Sequence, residues 1–218
     1  MSLKRTTAFI ALFLAFCPFP ASAQKHKFIH YGMENGMSSN TIFKILQDKD
    51  GLMWFGTNDG LTRFDGTTLK TWRNTPSDSR SLGNNSIYSL KEDMNGTLYI
   101  GTENGLYAFD KNEELFTEIL TPKSLPEAEM NSLSNILVRS LDLDKKNRLW
   151  IATLGQGLLR YDIETGRLIR FSKGKDNEFG IDSDYITSVL CDGRGRTWCT
   201  NASQNIYLYD DDKNMFSR

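Results

Sequence analysis

The chain has 218 residues, 39% of them hydrophobic and 11% aromatic, with a formal net charge of −1 at neutral pH. That length and apolar content suffice for a sizeable core, whereas the balanced charge gives no electrostatic case for a nucleic-acid partner, which needs a basic face. Beyond the first segment no long window carries clean helical periodicity, so an all-β protein is expected.

Met1–Ala23 reads as a signal peptide. Lys4 and Arg5 form a basic start, Ala8–Phe16 is an apolar run too short to span a bilayer comfortably, and Ala21-Ser22-Ala23 supplies small residues for cleavage before Gln24. Cys17 invites a lipoprotein reading, but Phe16 stands where a small residue is required and Pro18 follows. No later segment is long and apolar enough to cross a membrane.

Lys27–Tyr31 then reads as an outer strand with no partner in its own unit. A long connection, Gly32–Ser39, leads to a strand at Thr41–Gln47. The turn cluster Asp48-Lys49-Asp50-Gly51 introduces a short apolar run around Trp54. Asn58-Asp59-Gly60 turns the chain into a second run that ends at Phe64-Asp65, and Leu69–Trp72 follows as another outer strand. Short runs rich in Ile, Phe, Tyr and Trp between Gly, Asn and Asp are hairpin strands.

This unit recurs. Gly51–Asp65 is matched by Gly96–Asp110, Asn147–Asp162 and Gly195–Asp210, with Trp54, Tyr99, Trp150 and Trp198 in one place. The interval is roughly 50 residues, the mark of a repeat architecture. Further strands fall at Ile87–Glu92, Ile136–Leu143 and Tyr185–Cys191, behind connections at Asn74–Asn84, Thr121–Ser134 and Lys173–Ser183. Each unit thus has four strands, A to D, with A leading into the Trp54-type strand B. Four-stranded sheets repeated around a ring are β-propeller blades; a linear β-solenoid repeats in shorter steps. We therefore expect an all-β propeller of about four antiparallel four-stranded blades, in units of about 28–65, 69–110, 115–162 and 168–210. Each unit starts in the outer strand of one sheet and ends in the next, an offset that lets the first strand of the chain close a ring by joining the last sheet. Met215-Phe216 repeats Leu115-Phe116 at the start of a further outer strand, so the chain is expected to be either a truncated product or the N-terminal piece of a longer protein.

Small residues repeat too. Gly60, Gly105 and Gly157 align with Asn205, as expected for a turn needing positive φ. Gly56, Gly101 and Ala152 align with Thr200, which suggests a bulky neighbour over the strand, taken to be an aromatic of the adjacent unit.

Chemistry-bearing residues are few. His26 and His30 sit by the first strand, and exposed strand histidines are commoner than metal pairs. Asp65, Asp110, Asp162 and Asp210 recur in every unit, as turn-bonding carboxylates do and a catalytic acid does not. Asp48-x-Asp50-Gly51 and Asp93-x-Asn95-Gly96 open like calcium loops, but Asp59 and Asn104 stand where the last ligand, a Glu, belongs, so a hairpin turn is expected. The same stretch resembles the aspartate box of sialidases with a different spacing. Cys191 and Cys199 flank one hairpin; Cys199 takes the place of Phe55 and is expected to be buried, with a disulfide the lesser expectation. No catalytic residue, metal or cofactor is expected.

The pattern I-x-x-L-x-x-D-x-x-G-x-x-W-x-G-T-x-x-G-L-x-x-F-D resembles the two-component regulator propeller repeat. Ile42, Leu46 (displaced by one place), Asp48, Gly51, Trp54, Gly56, Thr57, Gly60, Leu61, Phe64 and Asp65 carry it in the first copy. Ile87, Leu90, Asp93, Gly96, Gly101, Thr102, Gly105, Leu106, Phe109 and Asp110 carry it in the second, and Cys199-Thr200-Asn201 departs most. The likeness covers nearly all of Phe28 to Phe216. It implies the periplasmic sensor part of a Bacteroides-type hybrid two-component histidine kinase, with an oligosaccharide ligand, further propeller blades, a kinase part absent from this chain, an inner-membrane anchor and a homodimeric parent. In such a fold the D–A and B–C connections share one face. The D–A connections are long and varied here, so binding residues are sought on that face: Asn58, Asp59, Arg80, Glu103, Asn104, Gln156 and Phe179. Amide, carboxylate and guanidinium groups pair with sugar hydroxyls, and an aromatic covers the apolar sugar face. The expectation is a non-enzymatic oligosaccharide sensor; a glycan-active lyase or hydrolase and a protein-interaction scaffold are the alternatives.

Overall fold

A computed structural model of the chain describes residues 28–121, 135–174 and 179–218. The expected signal peptide, Cys17 and His26 lie outside the described residues. The chain divides into Met1–His30 and Tyr31–Arg218. Of the first unit only Phe28–His30 are described; they are exposed and form no strand.

After a 3-10 turn at Met33–Asn35, sixteen strands follow among the described residues. They are β1 (Ile42–Gln47), β2 (Met53–Thr57), β3 (Gly60–Phe64), β4 (Leu69–Trp72), β5 (Ile87–Glu92), β6 (Leu98–Thr102), β7 (Gly105–Asp110) and β8 (Leu115–Leu120), then β9 (Leu137–Leu143), β10 (Arg148–Leu154), β11 (Leu158–Asp162), β12 (Leu168–Phe171), β13 (Ile186–Cys191), β14 (Thr197–Asn201), β15 (Ile206–Asp210) and β16 (Met215–Ser217). Each successive four form one antiparallel meander in chain order. The four first strands line one central opening of about 580 Å³, with Lys44, Lys91, Asp142 and Ser188 among the residues that the four sheets place on it. The sheets are therefore blades around a shared axis, as in a propeller.

The blades are held face to face by three apolar seams. Trp54 and Leu61 of the first blade pack with Ile87, Leu98 and Phe109 of the second. Tyr99 and Leu106 of the second pack with Val138, Leu149 and Ile151 of the third. Trp150 and Phe171 of the third pack with Ile186, Cys199, Tyr209 and Phe216 of the fourth. Two of the four aromatic anchors have matching surroundings: Trp54 stacks on Trp72 at 5.7 Å, and Trp150 stacks on Phe171 at 5.6 Å, whereas Tyr99 is buried in an aliphatic seam and Trp198 is half-buried outside the three seams.

The small-residue position has a physical cause that corrects the sequence expectation. The neighbour over Gly56 is not aromatic. A Cβ there would lie 2.6 Å from Cγ2 of Ile87, in the first strand of the next blade. Gly101 faces Val138 in the same way, and Ala152 shares its seam with Ile186. A β-branched side chain has one stiff χ1, so the opposing strand must yield space to it. The turn glycines agree with expectation in three blades: Gly60, Gly105 and Gly157 have φ of 117°, 112° and 76°. In the fourth blade the left-handed residue is Gln204, φ 64°, and not Asn205. The reading of Lys27–Tyr31 as a closing strand is overturned for Phe28–Tyr31. The outer place of the fourth sheet is taken by β16, and Tyr31 instead sets its ring 4.9 Å from Phe64.

Two sets of carboxylates build the turns on the A–B and C–D face. Asp48 accepts hydrogen bonds from the N–H groups of Asp50 and Leu52 and, at 2.8 Å, from the indole of Trp54. Asp144 and Asp192 serve Trp150 and Trp198 likewise, at 2.9 and 3.2 Å, and Asp93 takes the Tyr99 hydroxyl at 3.5 Å. One carboxylate thus ties each turn to its blade's aromatic anchor, which is why the Asp and the aromatic recur at a fixed spacing. The second set is Asp65, Asp110, Asp162 and Asp210, each of which accepts from backbone N–H groups two or three residues on. This is the turn role expected of them.

These bonds set the response to acid. Hydrogen bonds from Thr68 and Thr67 hold the Asp65 carboxyl well below its usual range. For Asp48 and Asp211 burial pushes upward, but donors overcome it: Trp54 and Lys111 for Asp48, Arg148 and Lys146 for Asp211, which is lowered to about 2. A carboxyl depressed in the folded state stabilises the fold above its unfolded value of about 3.9, and this contribution is lost as pH falls towards the folded value. Urea midpoints should therefore be flat from about pH 7 to pH 5 and fall steeply from there towards pH 2; a midpoint that holds or rises on acidification would contradict this. Gly56→Ala should destabilise by about 1–3 kcal/mol through overpacking against Ile87. In Gly56→Ala/Ile87→Ala the two costs should sum to less than the separate values, as urea unfolding of all three variants would show.

Candidate functional site

The D–A and B–C connections meet on one face. The backbone makes that meeting: Gly60 N–H donates to Asn85 at 2.8 Å, Gly105 N–H to Ile136 at 2.7 Å, and Gly157 N–H to Asp184 at 2.8 Å. Each B–C turn is thereby pinned under the D–A connection that follows its own blade. A side chain on these glycines would strike the backbone carbonyl of the neighbouring outer strand, Trp72 O in the case of Gly60.

The sequence-selected residues are dispersed along this face. Asp59 pairs with Arg73 at 3.1 Å and accepts from Asn85 at 3.2 Å, an exposed network of small energetic weight. Asn58 and Arg80 are exposed; the Arg80 guanidinium lies 3.8 Å from Asp78. Glu103 is half-buried, and its N–H donates to Ser86. Gln156 is 2% exposed; its Oε1 is buried without a donor while its amide donates to the Gly155 carbonyl. Phe179 packs edge-on to Phe171 at 5.4 Å, at the margin of the core.

Asn104 has a different setting. It lies on a groove of about 480 Å³ between the 75–83 connection and the second blade, with Asn74, Asp78, Tyr107, Glu118 and Thr121 also on its walls. The Asn104 Oδ1 is buried and accepts no hydrogen bond from the described residues. A buried amide oxygen left without a donor is costly. Tyr107, pushed up to about 12 by burial and then by the Glu118 charge, stays a neutral hydroxyl, and it donates to the Asn104 carbonyl at 3.3 Å. Sequence reading found Asn104 but missed Asn74, Tyr107 and Glu118. The one available signal was Gly83, where a Cβ would run into the Tyr107 hydroxyl.

On the opposite face the Asp48, Asp50 and Glu92 carboxylates come close enough to share a cation. Lys111 occupies that place, with its Nζ at 3.0, 2.9 and 2.7 Å from the three. The acids that open like a calcium loop thus hold a lysine of the next blade. Cys191 and Cys199 are free. In register Cys191 faces Thr197 and Cys199 faces Val189, so the sulfurs sit on a diagonal and not opposite each other. Burial pushes both thiols up to about 12, so neither is a ready nucleophile.

Residues 36–59 and 81–104 match the model of a family described as two component regulator propeller. Both matches run from the D–A connection through strands A and B to the B–C turn. A curated relative, Histidine kinase P4 of Formosa agariphila, is 35% identical over 82 residues, which is 37% of this chain and 6% of the kinase. The extracellular domain of a putative hybrid two component system from B. thetaiotaomicron superposes with a TM-score of 0.69 at 24% identity, over 85% of this chain and 23% of that one. A second such domain from the same organism gives 0.50 at 18% identity, over 87% and 31%. This chain therefore spans a small part of the relatives it matches. No helix among the described residues is long and apolar enough to cross a membrane. Two stretches of the chain thus match the two component regulator propeller repeat, and the chain as described is folded as successive blades of a β-propeller.

Proposed function

We propose that this chain is the ligand-sensing propeller part of an extracytoplasmic two-component sensor. It recognises an oligosaccharide on the D–A/B–C face and signals through a kinase part outside these residues. Met1–Ala23 directs it across the inner membrane, to which the parent is anchored. The observation that carries the ligand reading is the outer groove lined by Asn104, whose Oδ1 has no donor among the described residues. Sugar hydroxyls are donors as well as acceptors, so a saccharide supplies what that oxygen lacks while its other hydroxyls meet Asn74, Asp78 and Glu118. Support also comes from the matched relatives, which by name are a histidine kinase and extracellular domains of hybrid two component systems.

The enzymatic alternative is the weaker one. A glycosidase needs a carboxylic acid raised towards neutrality, whereas the displaced carboxyls here, Asp48, Asp65, Asp162, Asp192, Asp210 and Asp211, are all lowered. Calorimetry of the chain against a panel of neutral and acidic oligosaccharides should find a binder. Asn104→Leu should weaken it roughly tenfold, the size of one buried hydrogen bond. Unchanged affinity in that variant would move the site elsewhere. A reducing-end assay with the same panel should stay at background, and sustained turnover would reject the sensor reading.

A further inference from the structure

The same irregularity interrupts the first strand of every blade. Pairing of β1 with β2 skips one residue between Ile42 and Lys44, and β5 with β6 skips one between Ile87 and Ser89. In β9 the skip lies between Val138 and Ser140, and in β13 between Ile186 and Ser188. The extra residues of these four bulges are Phe43, Tyr88, Arg139 and Thr187. In the second, third and fourth blades the extra residue directly follows the β-branched residue that packs at the previous blade's small-residue hollow. A bulge re-aims one side chain out of the pleat, and bulges gather beside functional sites for that reason. Here they re-aim one side chain per blade at one level, at the D–A end of the strands that line the central opening.

Three of the four meet. The Phe43 ring stacks on Tyr88 with centroids 4.8 Å apart and planes 22° from parallel. The guanidinium of Arg139 lies 5.6 Å from the Tyr88 centroid. Tyr88 is thus held by a ring from the blade before it and a cation from the blade after it. Thr187 turns away and bonds Thr200. Phe43 is 41% exposed. Arg139 is exposed, and among the described residues its guanidinium has no carboxylate partner. Further down the opening Asp142 is already neutralised by Lys91 at 2.5 Å, whereas Lys44 has no acid beside it. At the D–A end of the strands that line the opening, an apolar ring and a cation without a carboxylate partner are thus joined through Tyr88.

We propose that Phe43, Tyr88 and Arg139 form a binding platform for an anionic saccharide. The apolar C–H face of the sugar ring lies on Phe43, its carboxylate or sulfate is taken by the Arg139 fork, and Tyr88 sets their spacing. This rests on the saccharide reading above and adds the charge of the ligand and a second place on the molecule.

The test is calorimetry of the whole chain with trigalacturonate, a sulfated galactose trisaccharide and neutral galactotriose as probes, at low and high salt. At least one acidic probe should bind tenfold or more tightly than the neutral one and weaken with salt. Which acidic probe binds decides between a carboxylate and a sulfate. Arg139→Ala should cost tenfold or more, Arg139→Lys less, and Phe43→Ala a similar loss, while Thr187→Ala should change nothing. Thermal melts show which variants keep their fold; if Phe43→Ala does not, the Arg139 pair carries the test. Wild-type affinity in Arg139→Ala, equal binding of neutral and acidic probes, or no binding of either acidic probe would each overturn the platform. If neutral saccharides bind and only Asn104→Leu weakens them, the outer-groove reading survives without it.

Discussion

No blade of this protein can bury its own face. A four-stranded meander has two faces and one sequence, so each must lie against a neighbour, and everything else in the structure follows from how closely two twisted sheets can approach. The approach is set by a hollow and a knob. Gly56, Gly101 and Ala152 supply the hollow, and Ile87, Val138 and Ile186 supply the knob. The knob is stiff because it is β-branched, so the hollow cannot be filled without moving a strand. Trp54, Tyr99 and Trp150 then occupy the broader part of the same interfaces. The period of the sequence is the period of this contact.

The seams are alike in their apolar packing and unlike in their polar dressing. Between the first and second blades, an acidic A–B turn with Asp48 and Asp50 receives Lys111. Between the third and fourth the charges are reversed: Lys146 and Arg148 on the A–B turn receive Asp211. Between the second and third the equivalent place is Ile163, which packs on the apolar cluster. Exchanging blades would bring like charges together or strand a charge on an aliphatic side chain. A repeat protein needs such differences, because near-identical units can otherwise pair in the wrong order.

The two ends of the blades have different tasks. On the A–B and C–D face, carboxylates are consumed by turn N–H groups, indoles and cross-seam cations. On the D–A and B–C face the turns are pinned by backbone bonds and by threonine hydroxyls such as those of Thr57, Thr102 and Thr153. The donor-less Asn104 oxygen and the unpaired Arg139 both lie at that end. Hydrogen-bonding capacity left over on a rigid frame is what a binding surface requires.

The architecture was legible in the sequence because its signals are local. A strand needs only alternation, a turn only Gly, Asn or Asp, and four copies of one unit leave little room for another fold. The bounds of β5 and the turn role of Asp65, Asp110, Asp162 and Asp210 were readable for the same reason. What could not be read were relations between units. The partner of Gly56 is 31 residues away, in another blade, and nothing near Gly56 says whether it is aromatic or aliphatic. Lys27–Tyr31 has strand composition, yet whether Phe28–Tyr31 pair depends on a free edge, and β16 fills the one they were expected to take. The bulges at Phe43, Tyr88 and Arg139 are invisible to a period-two reading, because one extra residue in a strand is a fact about its neighbour. Composition and spacing determined the blades, and only the packing of blade on blade decided which polar and aromatic groups remain for a ligand, since a group is free only when every nearby partner is already taken.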